Sequence, residues 1–300
     1  MMSDTQPRPN KEGRAVARGP DQLGAHVSIA GGPATAPARG ASIGATAIQI
    51  FTKTPNMWRE PVVTAETATA FQRARDEYPV AAAVSHDSYL INLASPDPAL
   101  RARSLVAFQG ELRRSAQLGL QGVVSHPGNF IDNREAGIER NAQAITEALR
   151  EVDGDLMLLL ETTAGSGTAL GSSMEELREL RDRVGDDVRH RIAFCADTCH
   201  LYSAGYDLVG GYDDVWNRWE RLIGIDLLRC LHLNDSKTPF ASRRDRHELV
   251  GKGSLGTEPF RRIMTDPRFA AIPKVLETPK GDDEVTNDRE SLALLREMAG

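Results

Sequence analysis

The stretch LMLLLE at residues 156–161 combines an unbroken apolar run with a carboxylate at its last position. A short run that is apolar throughout is typical of a parallel strand buried on both faces. A charge directly after such a run is costly unless solvent, a partner or a metal ion satisfies it. Short runs of this kind, apolar or β-branched, recur along the chain. Together with LMLLLE they span residues 23–29, 46–51, 80–86, 122–127, 156–161, 191–197, 229–235 and 273–277.

The segments between these runs carry apolar residues at spacings of three and four, which predicts amphipathic helices. They span residues 65–78, 98–118, 134–152, 174–184, 213–223, 258–264 and 287–298, and residues 32–43 give the weakest pattern. Thr64, Asp97 and Ser173 precede three of the helices, where a side chain can cap the first turn. Eight alternations of strand and helix predict an α/β protein, a single-domain (β/α)8 TIM barrel over residues 23–300, rather than a doubly wound sheet.

Composition narrows the class of protein further. Residues 1–22 contain no apolar run, so we expect a disordered N-terminal extension without a secretory signal. No run in the 300 residues approaches the roughly 20 apolar positions that a membrane span requires. Three cysteines without disulfide-type spacing indicate a reducing compartment, so we expect a cytoplasmic protein. A monomer is expected as well, although no sequence feature bears on it. A net charge of -6 argues against coating nucleic acid through bulk charge, although it permits a local phosphate site.

Imidazoles and carboxylates lie at the ends of the predicted strands or in the loops just after them. They are His86, His126, Glu161, Asp197, His200, His232, Asp245, His247 and Glu277. In a (β/α)8 barrel the carboxyl ends of all strands open on one rim, where such enzymes build their active sites. Imidazole with carboxylate is a ligand set for Zn, Mn or Fe, so the sequence predicts a metal centre there. His26, inside the first strand, is either a core polar residue or a partner of a ligand.

Charge counting favours more than one ion. The predicted ligands include four carboxylates, which would repel one another without cations. One divalent ion leaves the set negative, and a negative site repels phosphate. Three divalent ions leave a surplus of two positive charges, which attracts phosphate. A substrate that carries a phosphate group is therefore expected.

The chain resembles the endonuclease IV family of abasic-site endonucleases from about Leu23 to Met298. The order, spacing and residue types of nine blocks carry the resemblance. The blocks are GAHVSIAGG at 24–32, FTKTPNMW at 51–58, SHDSYLINL at 85–93, SHPG at 125–128, LLETTAG at 159–165, ADTCHLYSAGYDL at 196–208, LHLNDSK at 231–237, SRRDRHELVGKGSLG at 242–256 and LET at 276–278.

The resemblance implies a (β/α)8 barrel that binds three zinc ions. It also implies an enzyme that cleaves duplex DNA 5′ to an abasic site, as a step of base excision repair. Mn²⁺ or Fe²⁺ is acceptable to the same ligands at one or more positions. The implied sets are His86, His126 and Glu161 for the first ion, Glu161, Asp197, His232 and Glu277 for the second, and His200, Asp245 and His247 for the third. Glu161 would bridge two ions and is the implied catalytic residue.

The resemblance also implies contacts to DNA. Tyr89 and Leu90 would probe the duplex at the lesion. Independently of the resemblance, Lys53 and Arg246 lie in predicted loops at the rim, where they could contact phosphates. The chain departs from the family pattern at two positions. Thr162 stands where the family usually has Asn after the bridging glutamate, and Asn56 stands where a basic or long polar side chain often lies near the DNA.

Two other functions fit part of the pattern. A sugar isomerase or epimerase on a similar barrel also gathers His and carboxylates around one or two metal ions. A metal-stabilised nucleic-acid-binding module would bind undamaged DNA without turnover. The number of bound ions and the presence of turnover distinguish these alternatives from a nuclease.

Overall fold

Eight parallel strands close into a barrel in the computed structural model, which describes residues 21–300. The barrel strands are β1 (Leu23–His26), β2 (Ala47–Phe51), β3 (Ala82–His86), β4 (Gly122–Ser125), β5 (Met157–Glu161), β6 (Ile192–Asp197), β7 (Leu228–His232) and β10 (Lys274–Leu276). Between β7 and β10 the chain forms a small separate hairpin of β8 (Asp235–Ser236) and β9 (His247–Glu248). Each strand lies beside its neighbour in sequence, and β10 closes the circle between β7 and β1. The predicted (β/α)8 barrel is confirmed.

Helices connect the strands on the outside of the barrel. They are α1 (Ala36–Ser42), α2 (Ala65–Glu77), α3 (Pro98–Leu118), α4 (Arg134–Glu151), α5 (Met174–Arg183), α6 (Thr198–Ala204), α7 (Tyr212–Leu222), α8 (Glu258–Thr265) and α9 (Thr286–Ala299). The three predicted caps are present: Thr64 accepts from Thr67 N–H, Asp97 from the N–H groups of the first turn of α3, and Ser173 from Glu176 N–H. These bonds satisfy amide groups that a helix start leaves without a partner.

The hydrophobic core has two zones. Inside the barrel, small and branched side chains fill the space between the strands: Val84, Val124, Leu159, Ala193, Cys195, Cys230 and Val275. Outside it, large aromatic side chains such as Phe71, Phe108, Trp216 and Trp219 are fully buried in the main hydrophobic core. Because side chains fill the interior of the barrel, an open site for a substrate can form only at its rim.

The sequence interpretation missed α6 and the β8–β9 hairpin. The seventh run was extended to Asp235, whereas β7 ends at His232 and Asp235 begins the hairpin. The Asp235 carboxylate accepts hydrogen bonds from the backbone N–H groups of Gly253 and Leu255, each with an N···O distance of 2.9 Å. Asp235 therefore holds the following loop in place and does not continue the strand. The helix α6 has only seven residues, too few to show a hydrophobic period.

Residues 1–20 of the predicted N-terminal extension lie outside the described residues. Asp21 contacts the barrel: it accepts hydrogen bonds from Arg296 Nε at 2.7 Å and from the Thr46 hydroxyl at 2.5 Å. Over residues 21–300, no helix has the length and apolar character needed to cross a membrane.

Candidate metal centre

The strand ends deliver the predicted ligands to one rim of the barrel. His86, Glu161, Asp197 and His232 are the last residues of β3, β5, β6 and β7. His126 and Glu277 follow β4 and β10 directly, His200 lies in α6, Asp245 in the β8–β9 connection, and His247 in β9. The strand register holds neighbours at one height, since Asp197 is paired with His232. All nine side chains fall into three groups whose ligand atoms lie within 4.8 Å of one another, with Glu161 in two of the groups.

Glu161 lies at the centre of this rim and has no exposed surface. Its Oε2 is 2.9 Å from His126 Nε2 and 3.1 Å from His86 Nε2. Its Oε1 is 3.0 Å from His232 Nδ1. The two oxygens of one carboxylate therefore face two different groups, as a carboxylate shared by two ions must.

Asp197, His232 and Glu277 complete the second group with Glu161. His232 Nδ1 lies 3.1 Å from Glu277 Oε2 and 3.8 Å from Asp197 Oδ2. On the other side of the ring, Gln49 Oε1 lies 2.8 Å from His232 Nε2 and accepts a hydrogen bond from it. Because Gln49 holds a proton on Nε2, Nδ1 is the ring nitrogen that faces the group and would bind an ion there.

Gln49 is a site residue that the sequence interpretation missed. It is fully buried within β2, and the only signal was a lone amide in the apolar run TAIQIF. Its Nε2 donates to Glu277 Oε1 at 2.6 Å and lies 3.0 Å from His26 Nδ1. His26 is thus a partner of the predicted ligands rather than an isolated core polar residue.

The third group offers the most direct test of whether these residues fit a metal ion. His200 Nε2 and His247 Nε2 each lie 3.2 Å from an oxygen of Asp245. Within residues 21–300, neither nitrogen has a hydrogen-bond partner of acceptable geometry, although both are buried. The opposite nitrogens donate to carbonyls, His200 Nδ1 to Thr162 O at 2.8 Å and His247 Nδ1 to Glu277 O at 3.2 Å.

Two buried imidazole nitrogens without a hydrogen-bond partner therefore lie beside one carboxylate, with the ligand atoms within 4.8 Å of one another. Donor atoms around a tetrahedral Zn²⁺ at about 2.0–2.1 Å stand roughly 3.3 Å apart. The observed separations of 3.2 Å match this value. The donor set of the third group fits a zinc ion.

The rim groups shift one another's pKa values. Burial by itself lowers the pKa of His86, but the hydrogen bond and charge of Glu161 outweigh it and raise this pKa to about 9. Burial raises the pKa of Asp245, but His200 outweighs it and lowers this pKa to about 2. The pKa of Glu161 likewise falls well below its ordinary value despite burial, because His126 and His232 lie beside it. The carboxylates stay ionised and hold positive charge at the rim, either as protons on imidazoles or as metal cations.

Neighbouring polar groups fix the carboxylates in place. Asn234 Nδ2 donates to Asp197 Oδ2 at 2.6 Å, and Asn234 Oδ1 accepts from Glu277 N–H at 2.8 Å. Thr162, one of the two departures, accepts from Asp197 N–H at 2.9 Å through its hydroxyl. The threonine therefore supports the second group through its side chain and the third group through its carbonyl.

The residues expected to contact DNA fall into two classes. Tyr89, with an exposed fraction of 68%, stands over the rim with its ring edge-on to Phe51 at 5.3 Å between centroids. Leu90 beside it is partly exposed, and Arg246 and Asn56 are exposed. These positions are open to a duplex approaching the rim.

The structure corrects the prediction for Lys53. Only 5% of this residue is exposed, and its ammonium is paired with Glu60. Glu60 also accepts from Arg114, which in turn binds Glu111 at 2.8 Å. The charge of Lys53 is therefore satisfied inside the loop that follows β2, and it is not available to a phosphate.

Comparison with known proteins places this geometry in a family. The family model for xylose isomerase-like TIM barrels matches residues 37–298. A probable endonuclease 4 from Chloroflexus aggregans (strain MD-66 / DSM 9485) is 46% identical over 281 residues, which cover 92% of this chain and 97% of that protein. The chain belongs to the endonuclease IV family. A second family member, from Geobacter sulfurreducens, is 47% identical over 270 residues, with 88% and 90% of the two chains covered.

Solved structures agree with this membership. The crystal structure of endonuclease IV from Thermus thermophilus is 34% identical, has a TM-score of 0.82, and covers 92% of this chain and 98% of its own. A D-tagatose 3-epimerase-like protein is only 16% identical at a TM-score of 0.67, which shows a shared fold alone. The prediction of an endonuclease IV-type enzyme is confirmed, and the sugar isomerase or epimerase alternative has no support beyond the barrel.

Proposed function

We propose that this member of the endonuclease IV family hydrolyses the phosphodiester 5′ to abasic sites in duplex DNA, as a step of base excision repair, with three zinc ions. The observation that carries the proposal is the arrangement around Glu161, whose two oxygens face two separate ligand groups. A third group adjoins them and has two unpartnered imidazole nitrogens among the residues that the structure describes. Membership of the endonuclease IV family supports DNA as the substrate.

Each predicted ligand has a defined place in this proposal. The sets would be His86, His126 and Glu161; Glu161, Asp197, His232 and Glu277; and His200, Asp245 and His247. When bound, divalent ions would activate water and stabilise charge on the attacking and leaving oxygens of a phosphodiester. Mn²⁺ or Fe²⁺ would suit the same mixture of imidazole and carboxylate.

The chain's own residues prepare the site in three ways. Glu161 fixes the spacing between two ligand groups, because a single buried carboxylate belongs to both. Gln49 accepts a hydrogen bond from His232 Nε2 and so keeps Nδ1 directed at the second ligand group, where it would hold an ion. The carbonyls of Thr162 and Glu277 orient the rings of the third group in the same way.

Recognition of the lesion would depend on Tyr89 and Leu90. A missing base leaves a gap in the stack, so the sugar-phosphate at that position flips out at little cost. Tyr89 is exposed and is supported edge-on by Phe51, which gives a stable aromatic surface for insertion into the gap. Arg246 and the neighbouring exposed Arg243, Arg244 and Lys252 would contact phosphates on either side.

The test is incision of a duplex that contains one stable abasic analogue, with the same duplex carrying a normal nucleotide as the control. We expect zinc-loaded protein to make one cut 5′ to the analogue and leave a 3′-hydroxyl. A chelator should stop incision, and added zinc should restore it. The proposal fails if the loaded protein leaves the abasic strand intact or cuts both duplexes equally.

A further inference from the structure

A thiol pair lies inside the barrel directly below the rim. Cys195 on β6 and Cys230 on β7 are register partners, and both are fully buried free thiols of the barrel interior. Two residues further along the same strands come Asp197 and His232. Because alternate residues of a strand face the same side, the thiols and the rim residues form consecutive layers of the barrel interior.

His232 reaches both layers. One ring nitrogen of His232 and the two sulfurs of Cys195 and Cys230 lie within 4.8 Å of one another. Sulfur atoms bound to one ion at about 2.3 Å stand roughly 3.8 Å apart, so only a small approach is needed to bring the three donors around a cation. Two thiolates and an imidazole form a soft ligand set, unlike the carboxylate-rich groups above them.

We propose that Cys195, Cys230 and His232 form a binding site for a thiophilic cation, of the class of Cu⁺ or Cd²⁺. The site is distinct in ligand chemistry from the three groups of the rim, and it shares one residue with them. His232 Nδ1 faces Glu161 and Glu277, at 3.0 and 3.1 Å, in the second rim group. A cation held by the thiols competes with that group for the ring.

Competition has a direct consequence for the enzyme. A soft cation that draws His232 downward removes one of the four side chains of the second rim group. By linkage, an ion in that group weakens binding at the thiols by the same factor. Soft cations therefore inhibit this protein through the layer below the rim as well as through direct replacement of rim ions.

The experiment is a titration of metal-free protein with Cd²⁺, followed by thiolate-to-cadmium charge-transfer absorption. A Cys199→Ala background removes the third cysteine, which lies near Asp197 and His247. We expect one Cd²⁺ to develop the charge-transfer absorption of two thiolates, because both sulfurs bind the cation as thiolates. Cys195→Ala or Cys230→Ala should weaken this binding at least about tenfold and lower the absorption by about half or more.

Two controls make the outcome decisive. Glu161→Gln in the same background should keep the thiolate absorption, because that residue belongs only to the rim. Loading the rim with zinc beforehand should weaken Cd²⁺ binding at the thiols. Cys195→Ser and Cys230→Ser replace the alanine variants if circular dichroism shows that those do not fold. Absorption that persists when both cysteines are replaced, or that is lost with Cys199→Ala alone, would overturn the site.

Discussion

Leu159 and Glu161 are two residues apart on β5, face the same barrel interior and are almost equally buried, at 2% and 0% exposure. Leu159 belongs to a layer of apolar side chains that includes Val124 and Val275. Glu161 belongs to the layer above, where imidazoles surround its carboxylate. The apolar side chains of the lower layer are stabilised by burial and packing alone. The upper layer is stable only if positive charge accompanies its carboxylates, so it responds to metal and pH, whereas the packing of Leu159 does not.

The largest expected effect comes from the upper layer. Glu161→Gln keeps the size of the side chain but removes the charge that faces two ligand groups. We expect incision of abasic duplex to fall more than about 100-fold, because loss of a direct ligand exceeds the 10–100-fold cost of losing a supporting hydrogen bond. Bound metal, measured by elemental analysis, should fall with it.

Glu111 offers a matched control for this change. It is also a buried glutamate, at 1% exposure, but it pairs with Arg114 on α3, outside the three ligand groups. Glu111→Gln should leave metal content and incision by the folded protein within a few-fold of the original. If both variants lost metal and incision to the same extent, the effect of Glu161→Gln would reflect the loss of any buried charge and not the loss of a metal ligand.

The lower layer should show the opposite behaviour. Leu159→Ala removes packing from the barrel interior and should lower the free energy of unfolding by about 2–5 kcal/mol. Urea unfolding measures this loss. Metal content per folded molecule should stay unchanged, and a chelator should neither add to nor reduce the loss. If the loss of unfolding free energy caused by Leu159→Ala disappeared when metal is removed, the two layers would not be independent.

The dependence on pH separates the layers in metal-free protein. The pKa of His86 is raised from 6.5 to about 9 in the fold, so its protonated form stabilises the folded state. This contribution, about 3 kcal/mol, is fully present below pH 6.5 and is lost as pH rises through about 9. The stability that His86 adds, measured as the difference in thermal midpoint between metal-free protein and its His86→Asn variant, should fall over that range, whereas the cost of Leu159→Ala should stay constant. A difference that grows with pH would contradict this account.

The smallest effect is expected outside both layers. Tyr89→Ala should weaken binding to abasic duplex by about 1–3 kcal/mol, the range for stacking of one base on an aromatic ring. Stability and metal content should not change, because the ring is exposed. Val106→Ala is the control. Val106 is also exposed but lies on α3, and its replacement should leave DNA affinity unaltered. Fluorescence anisotropy with inactive Glu161→Gln protein measures binding without cleavage.

The sequence alone determined the barrel and the membership of the rim. An apolar run such as LMLLLE indicates a buried strand, and a charged residue at its end marks where the strand stops. The eight barrel strands and the nine ligand-type residues could therefore be found without coordinates. Local chemistry also predicted the caps at Thr64, Asp97 and Ser173, since a cap involves only residues in adjacent positions.

Only the tertiary structure decided how these residues meet. Closure of the barrel brings Gln49 to Glu277 across 228 positions of chain, and no local pattern encodes that contact. Burial of Lys53 against Glu60 likewise depends on how the loop after β2 folds onto α3. The pairing of Cys195 with Cys230 follows from the register of two strands. Sequence periodicity reports which side of an element is buried, whereas register and closure, set by packing of the whole barrel, determine what each buried group faces.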